Sequence, residues 1–289
     1  VRSINAAGIQ PDIIIGRSEL PMDGPRKEKL AISCNIAVAD IISAPDCNSI
    51  YEVPLNFEKE KLGNRILKKF GLRPRKNELG EWKKFVKKIQ SVEDEVKIGI
   101  VGKYFTTGNF ILSDAYISVI EALKHGAWFH GKKPKLFWLN SEEYEKRPEK
   151  LAELSELDGV LIPGGFGSRG VEGKIAAVRY VRENKIPYLG LCYGMHMAVI
   201  EFARNICGLV DANTAEINPE SSNPVIHIME DQAKKLQKKK YGGTMRLGAY
   251  PCVLEKGSVA AAAYRAKEVS ERHRHRYEVA NKYRDQFVE

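Results

Sequence analysis

Residues 186–197, Ile-Pro-Tyr-Leu-Gly-Leu-Cys-Tyr-Gly-Met-His-Met, change period within a few positions. The part before Cys192 is short and apolar and begins beside Pro187, the pattern of a buried strand. Past Gly194, the residues Met195, Val199, Phe202 and Ile206 recur at helical spacing, so a helix follows almost at once. Cys192 is therefore placed on a sharp strand-to-helix turn between Gly190 and Gly194. That is the geometry of a nucleophile elbow, with cysteine in place of serine, at the mouth of a sheet. A helix N-terminus beneath the sulfur is expected to favour thiolate, the reactive form. Gly-x-Cys-x-Gly on its own also fits a small buried cysteine at a tight turn, and the motif leaves both readings open.

The chain around this turn alternates strands with helical stripes. Strands are expected at 96–101, 134–139, 159–163 and 188–191. A helix capped at Ser113-Asp114 carries a stripe of Ala115, Val119, Ala122 and Leu123, and a charged helix near 141–154 starts at Ser141 as its cap. This order predicts an α/β fold with a mostly parallel sheet covered by helices on both faces. Right-handed crossovers then put the loops after the strands on one edge, where a site is expected. Residues 1–54 hold only short apolar pieces, at 11–16, 31–34, 38–42 and 49–54, and look like the end of a partial α/β domain. Residues 55–95 turn Lys- and Glu-rich, with Leu79, Trp82, Val86 and Ile89 on one helical face, and read as a helical linker. Residues 96–289 form the main domain.

Several function classes are excluded. No apolar run approaches the roughly 20 residues that span a bilayer, and the N-terminus has no apolar signal region. The five cysteines are irregularly spaced without a Cys-x-x-Cys pair, so neither a zinc site nor a disulfide framework is indicated and no metal ligands are assigned. This fits a reducing cytoplasm. The net charge of +9 lies largely in runs such as Lys234-Lys235 and Lys238–Lys240. These read as solvated faces, with phosphorylated metabolites as the next choice, since no nucleic-acid motif accompanies them.

Two further stretches bear on the turn. Pro-Gly-Gly-Phe-Gly-Ser-Arg-Gly at 163–170 follows the third strand, and both it and the Cys192 loop begin at strand C-termini. Attack on a carbonyl puts negative charge on oxygen, which free N–H groups stabilise. Glycine lets backbone approach closely and adopt positive φ. Gly165 and Tyr193 are the expected donors. The second stretch, 270–278, packs Arg272, His273, Arg274, His275 and Arg276 in a row. It fits an exposed basic edge strand or a carboxylate clamp supplied by one arginine.

Together these residues resemble the CTP synthase family. Its markers run in order along nearly the whole chain: Gly-Ile-Gln-Pro-Asp at 8–12, Ser-Ile-Tyr at 49–51, Val-Gly-Lys-Tyr at 101–104, Asp-Ala-Tyr at 114–116, Pro-Gly-Gly-Phe-Gly at 163–167, Arg-Gly-Val-Glu-Gly at 169–173, Gly-Gly-Thr-Met-Arg-Leu-Gly at 242–248 and Arg-His-Arg-His-Arg-Tyr-Glu at 272–278. The resemblance implies an ATP-dependent amidoligase acting on UTP, joined to a class I glutaminase that supplies it with ammonia. Cys192 would attack the side-chain amide of L-glutamine, with Gly165 and Tyr193 holding the oxyanion. Gly164, His196, Glu216 and Arg274 would bind glutamine, Glu216 its ammonium and Arg274 its carboxylate. Arg169 and Glu172 fall in the lid associated with GTP, the allosteric activator. Arg17 matches a position near ATP and Lys29 one near the pyrimidine nucleotide. No covalent cofactor is implied; ATP and Mg2+ serve the synthetase part. CTP is the implied feedback inhibitor and a homo-tetramer the implied assembly, with no nucleic-acid or membrane partner.

The chain departs from the family pattern in three places. His196 stands where the family usually has glutamine. The 105–111 loop looks longer than usual. No His-Pro-Glu motif, which carries the family's catalytic base, and no Walker-type phosphate loop occur in the chain. The chain is therefore expected to be a middle piece with little glutaminase turnover. The alternative is a glutaminase-like regulatory or assembly module without catalysis.

Overall fold

The computed structural model describes the chain apart from residues 75–78, 104–105, 108–109, 112–115, 238–243 and 289. The expected Ser113-Asp114 cap lies outside the described residues. The chain divides into two units, Val1–Glu93 and Asp94–Glu289.

The first unit runs α1 (Arg2–Ala6), β1 (Ile14–Ser18), α2 (Gly24–Cys34), β2 (Ile41–Pro45), α3 (Val53–Lys59), α4 (Leu62–Lys69) and α5 (Gly80–Ser91). β1 and β2 pair in parallel, Ile14 opposite Ile41 and Ile15 opposite Ile42. Two of the short apolar pieces are helical. Residues 31–34 form the last turn of α2, because Asp23 caps that helix (its carboxylate accepts from the Arg26 N–H at 2.9 Å) and Pro25 pre-sets the first turn. Residues 49–54 form a 3-10 turn leading into α3, with Ser49 accepting from the Tyr51 N–H and Pro54 in the first turn. Cap chemistry thus overrides two short apolar runs that periodicity cannot tell from strands. α5 buries Val86, and its Trp82 donates Nε1–H to the Tyr51 carbonyl at 2.9 Å.

The second unit contains β3 (Glu95–Gly102), β4 (Thr106–Thr107), β5 (Phe110–Ile111), α6 (Ile117–Phe129), β6 (Lys133–Asn140), α7 (Ser141–Lys146), β7 (Gly159–Ile162), α8 (Val171–Glu183), β8 (Tyr188–Gly190) and α9 (Tyr193–Asn205). It continues with β9 (Asn213–Thr214), β10 (Pro224–Ile228), α10 (Glu230–Gln237), β11 (Arg246–Val253), α11 (Val259–Tyr264), β12 (Glu268–Arg274), β13 (Tyr277–Val279) and α12 (Arg284–Val288). The central sheet is parallel, in the order β6-β3-β7-β8. Successive strand residues point to opposite faces. Val101, Val160 and Ile162 accordingly pack with Val178 of α8 and Met197 of α9, while Ile100 and Leu161 pack with Ile120 of α6. The sheet is covered on both faces, as its continuous apolar strands require. Burial of each such side chain stabilises by about 1.5–3 kcal/mol.

The cap of α7 differs from expectation. Asn140, whose side chain accepts from the Glu142 N–H at 3.0 Å, is the N-cap. Ser141 begins the helix itself, and its buried hydroxyl donates to the Gly102 carbonyl at 3.3 Å. α8 lies so close to α7 that a Cβ on Gly173 would come within 1.9 Å of the Ser141 carbonyl oxygen. A second sheet, ordered β13-β10-β9, and an antiparallel β11–β12 hairpin complete the unit.

Candidate active site

Only Leu191 and Cys192 separate β8 from α9. The turn is tied down by the Leu191 N–H donating to the Ile162 carbonyl and the Tyr188 hydroxyl donating to the Gly194 carbonyl, at 2.9 and 2.7 Å. Cys192 itself has φ 53° and ψ −106°, a backbone conformation that L-residues rarely adopt. Such a conformation costs about 1–3 kcal/mol and persists only where the surroundings over-determine it. Here they do. A Cβ on Gly190 would lie 2.6 Å from the Gly194 carbonyl carbon, and one on Gly194 would lie 2.0 Å from the Ile162 carbonyl oxygen. The strand and helix can meet this closely only because both flanking positions lack side chains. Of the two readings of Gly-x-Cys-x-Gly, the structure has the elbow: Cys192 is exposed.

The thiol is not a resting thiolate. Partial burial of the sulfur pushes its pKa up, the Tyr193 N–H bonded to it pushes down, and the Glu216 charge pushes up again. Desolvation outweighs the helix N-terminus, so the expected thiolate gives way to a neutral thiol at neutral pH.

The 163–170 loop lies against this turn. A Cβ on Gly164 would sit 3.5 Å from the Cys192 Cβ and 3.8 Å from Sγ, and one on Gly165 3.8 Å from the Tyr193 ring. Gly164, Gly165, Cys192 and Tyr193 are thereby brought together. Positive φ is not what those two glycines supply; it falls instead on Gly167 (75°) and Gly170 (69°). Glycine at 164 and 165 keeps space open beside the sulfur. The loop is fastened from several elements. The Gly167 N–H donates to Glu216 Oε1 at 2.9 Å, the Tyr193 hydroxyl donates to the Gly167 carbonyl at 2.7 Å, and Lys103 Nζ donates to the Phe166 carbonyl.

A cavity of about 420 Å3 opens at the turn, lined by Cys192, Met195, His196, Arg272, Arg274 and Tyr277 among others. The exposed-strand reading of 270–278 describes what is observed. Up to Arg274 it is strand β12, largely exposed, and the same segment walls the cavity. His196 is 5% exposed and its buried Nδ1 has no hydrogen-bond partner. Burial first, and the neighbouring His275 second, push its pKa down to about 4, so it is neutral at physiological pH. His275 Nδ1 lies 3.0 Å from the Tyr277 carbonyl, and its Nε2 lies 2.9 Å from His273 Nδ1. A carbonyl only accepts, so in neutral His275 the proton is on Nδ1, and His273 donates to Nε2.

The remaining expected residues lie elsewhere. Arg169 pairs with Glu142 at 2.9 Å and donates to the Lys103 carbonyl at 3.4 Å. Glu172 accepts from Arg204 at 2.8 Å. Neither lines the cavity; they fasten the loop to α7 and α8 to α9. Arg17 and Lys29 belong to the first unit, Arg17 exposed and paired with Asp46 at 3.3 Å, Lys29 exposed on α2. Sequence reasoning passed over Lys103 and Lys174. Lys174 is buried beside Tyr193, its Nζ 5.2 Å from the ring centroid. Its signal was a lysine on the apolar stripe Val171, Ile175, Val178 of α8.

Comparison with known proteins fits this geometry. Residues 111–288 match the family model for class-I glutamine amidotransferases, and residues 1–72 match that for the CTP synthase N-terminus. The chain belongs to the class-I glutamine amidotransferases, on their CTP synthase branch. A CTP synthase of Carboxydothermus hydrogenoformans is 50% identical over 99% of the chain and 52% of its own length. One of Methanocaldococcus jannaschii is 49% identical over the same shares. The chain thus spans about half the length of the curated relatives it matches. Among solved structures, the glutaminase domain of Trypanosoma brucei CTPS with bound acivicin is 40% identical, with a TM-score of 0.59 over 67% of this chain and 71% of that one. The resemblance read from the motifs therefore holds along the chain, and the α/β class with a mainly parallel sheet holds with it.

Proposed function

We propose that this chain is the glutaminase part, with the adjoining end of the synthetase part, of an enzyme that aminates UTP to CTP using ATP and glutamine-derived ammonia. The observation that carries the reading is the strained Cys192, held at the elbow with the Tyr193 N–H on its sulfur and a cavity before it that also exposes Arg274. Sγ would attack the side-chain amide carbon of L-glutamine. The carbonyl oxygen would take negative charge beside the amides of Gly165 and Tyr193. The C–N bond would break, the nitrogen leaving as ammonia with a proton, and a thioester would remain. Water would then cleave the thioester to glutamate and free thiol. Arg274 suits the substrate carboxylate as a planar two-pronged donor. Glu216 suits the ammonium, one of its oxygens already being held by Gly167. His196, neutral and with an unpartnered nitrogen, is suited to hydrogen-bond the substrate. Gly164 leaves the room.

By the same reading, residues 1–54 end the synthetase part, 55–95 link the two and 96–289 are the glutaminase. Arg17 and Lys29 are assigned to ATP and the pyrimidine nucleotide. Arg169 and Glu172 are assigned to the lid that answers GTP. CTP feedback, a homo-tetramer and a cytoplasmic setting complete the proposal. Among the described residues no group of three or more His, Cys, Asp or Glu could hold a metal ion. No helix among them is long and apolar enough to cross a membrane.

Stoichiometric labelling of Cys192 by a glutamine-like diazo-ketone tests the reading. L-glutamine should protect against it, and the C192A variant should take up none. Labelling that glutamine does not slow would overturn the assignment.

A further inference from the structure

α8 turns Val171, Ile175, Val178 and Val181 into the core, and Lys174 sits among them at 2% exposure. Lysine is almost never buried so fully without a partner, and methionine would fill the same space without stranding a charge. Among the described residues the Lys174 ammonium makes no hydrogen bond. It lies 5.2 Å above the Tyr193 ring and 3.9 Å from where a Cβ on Gly165 would be. Those two residues provide the amides assigned to the oxyanion, and a Cβ on the adjacent Gly164 would lie 3.8 Å from the Cys192 sulfur. We infer that Lys174 is a positioning residue for negative charge at the Cys192 turn, its buried ammonium supporting the anion that forms beside Gly165 and Tyr193. In identifying that anion as the glutamine oxyanion, the inference rests on the glutaminase reading; the coupling between Lys174 and charge at Cys192 does not.

The neighbouring charges leave this role open to Lys174. Lys103 approaches from the end of β3, and its positive charge makes a nearby anion more welcome. Glu145 of α7 opposes it at a distance, but one of its oxygens accepts the Gly173 N–H at 3.3 Å. Arg169 is taken by Glu142, Arg204 by Glu172 and Arg182 by Glu201, while Glu216 reaches the loop through Gly167. Burial, and then Lys103, lower the Lys174 pKa to about 8. The ammonium is therefore mostly charged at pH 7 and largely neutral above pH 9. Support for the anion should vanish over that range.

Coupling is reciprocal, so an anion fixed at Cys192 must hold the proton on Lys174 more tightly. The chain is prepared with isotope-labelled lysine and alkylated with iodoacetate, which leaves a carboxylate on Cys192, or with iodoacetamide, which leaves a neutral amide. C192A controls remove the contribution of the other thiols, and K174R assigns the signal. The Lys174 titration midpoint should be higher with the carboxylate adduct by about half to one pH unit, the size of coupling expected between opposite charges in a partly desolvated site. Equal midpoints overturn the inference. In a second arm, K174M should slow diazo-ketone labelling of Cys192 about three- to tenfold at pH 7, converging on wild type above pH 9. K174R should keep the wild-type rate at pH 7 and lose its alkaline decline. A K174R defect equal to that of K174M at every pH would show packing alone and overturn the inference. If K174M does not fold, the wild-type titration decides by itself. If glutamine fails to protect Cys192, the glutaminase reading falls while the titration still decides the coupling.

Discussion

Replacing Cys192 with glycine should make the protein more stable. Cys192 is held at φ 53° and ψ −106°, where the clash between Cβ and backbone costs an L-residue about 1–3 kcal/mol. Glycine has no Cβ and occupies this region freely, but it loses about 0.5–1 kcal/mol more chain entropy on folding. Cys192 is exposed as a residue, with only its sulfur partly shielded from water, so little packing is lost. The net gain for C192G is about 1 kcal/mol, near the lower half of what the strain allows. In a unit of this size that is a rise of about 2–4 °C in Tm. C192A is the control. It removes the sulfur and retains the Cβ, so it keeps the strain and should stay within about 0.5 kcal/mol of wild type. Thermal and urea unfolding of the three proteins, each free of Cys192 labelling, gives the comparison. C192G no more stable than C192A would refute the claim that the backbone at the elbow is strained.

Gly194→Ala should lose about 3 kcal/mol or more and its elbow with it, because the new methyl meets the Ile162 carbonyl oxygen at 2.0 Å; denaturation and Cys192 labelling report both. Gly164→Ala should fold normally, its Cβ meeting Cys192 at ordinary distances of 3.5 and 3.8 Å, yet lose diazo-ketone labelling because the methyl fills substrate space. Arg182→Met should cost about 3–5 kcal/mol, since it strands a Glu201 carboxylate that is 1% exposed; E201Q, which removes the charge, should cost less in the same urea titration. His196 carries a pKa near 4 against an ordinary 6.5. Between those values the unfolded chain binds a proton that the folded chain refuses. Stability should therefore fall as pH drops from 6.5 to 4, by up to about 3 kcal/mol, and His196→Gln should flatten that part of the Tm–pH curve.

The parts of the fold legible in the sequence are those where one period governs several turns of chain. β7 and the second half of β3 are buried on both faces, so their apolar runs are continuous, and β6 at the sheet edge is half-buried through residues 136–138 and buried at Leu139. The switch into α9 is marked by two glycines that the structure shows to be sterically required. What was misread depended on single side chains at a distance. Residues 31–34 are helical because of Asp23 and Pro25, and α7 is capped by Asn140 because Ser141 is drawn inward to Gly102. The site divides the same way. Gly164, Gly165 and Cys192 follow the ends of β7 and β8, and their meeting on one edge is a consequence of parallel topology; His196 comes from the first turn of α9 and Arg274 from the separate antiparallel β11–β12 hairpin. The partners of Arg169 and Glu172, Glu142 and Arg204, lie 27 and 32 residues away, and no local pattern announces them. Lys174 is hidden in the sequence because a charged residue ordinarily faces water, while its spacing with Val171, Ile175 and Val178 is that of the core.

On the proposed attack of Cys192 on glutamine, the raised thiol pKa has a mechanistic value that a resting thiolate would not. Interactions accelerate a step only if they strengthen on the way to the transition state. Were Cys192 already anionic, the Tyr193 N–H and the buried ammonium of Lys174 would stabilise the ground state as much as the oxyanion, and would gain nothing in rate. With desolvation and Glu216 keeping the sulfur protonated, the same donors face a neutral group until substrate arrives and charge develops. A reagent that only samples resting thiolate should therefore find Cys192 unremarkable, whereas one that binds as glutamine and places a carbonyl over the turn should find it fast. At pH 7, iodoacetamide should alkylate Cys192 no faster than the exposed Cys252, while the diazo-ketone should select Cys192 by at least about tenfold, the factor that 1.4 kcal/mol of differential stabilisation supplies. Peptide mapping after brief exposure to each reagent measures both ratios. Rapid, selective alkylation of Cys192 by iodoacetamide at pH 7 would mean that the helix N-terminus prevails over desolvation, and that the donors around the elbow are spent before the reaction begins.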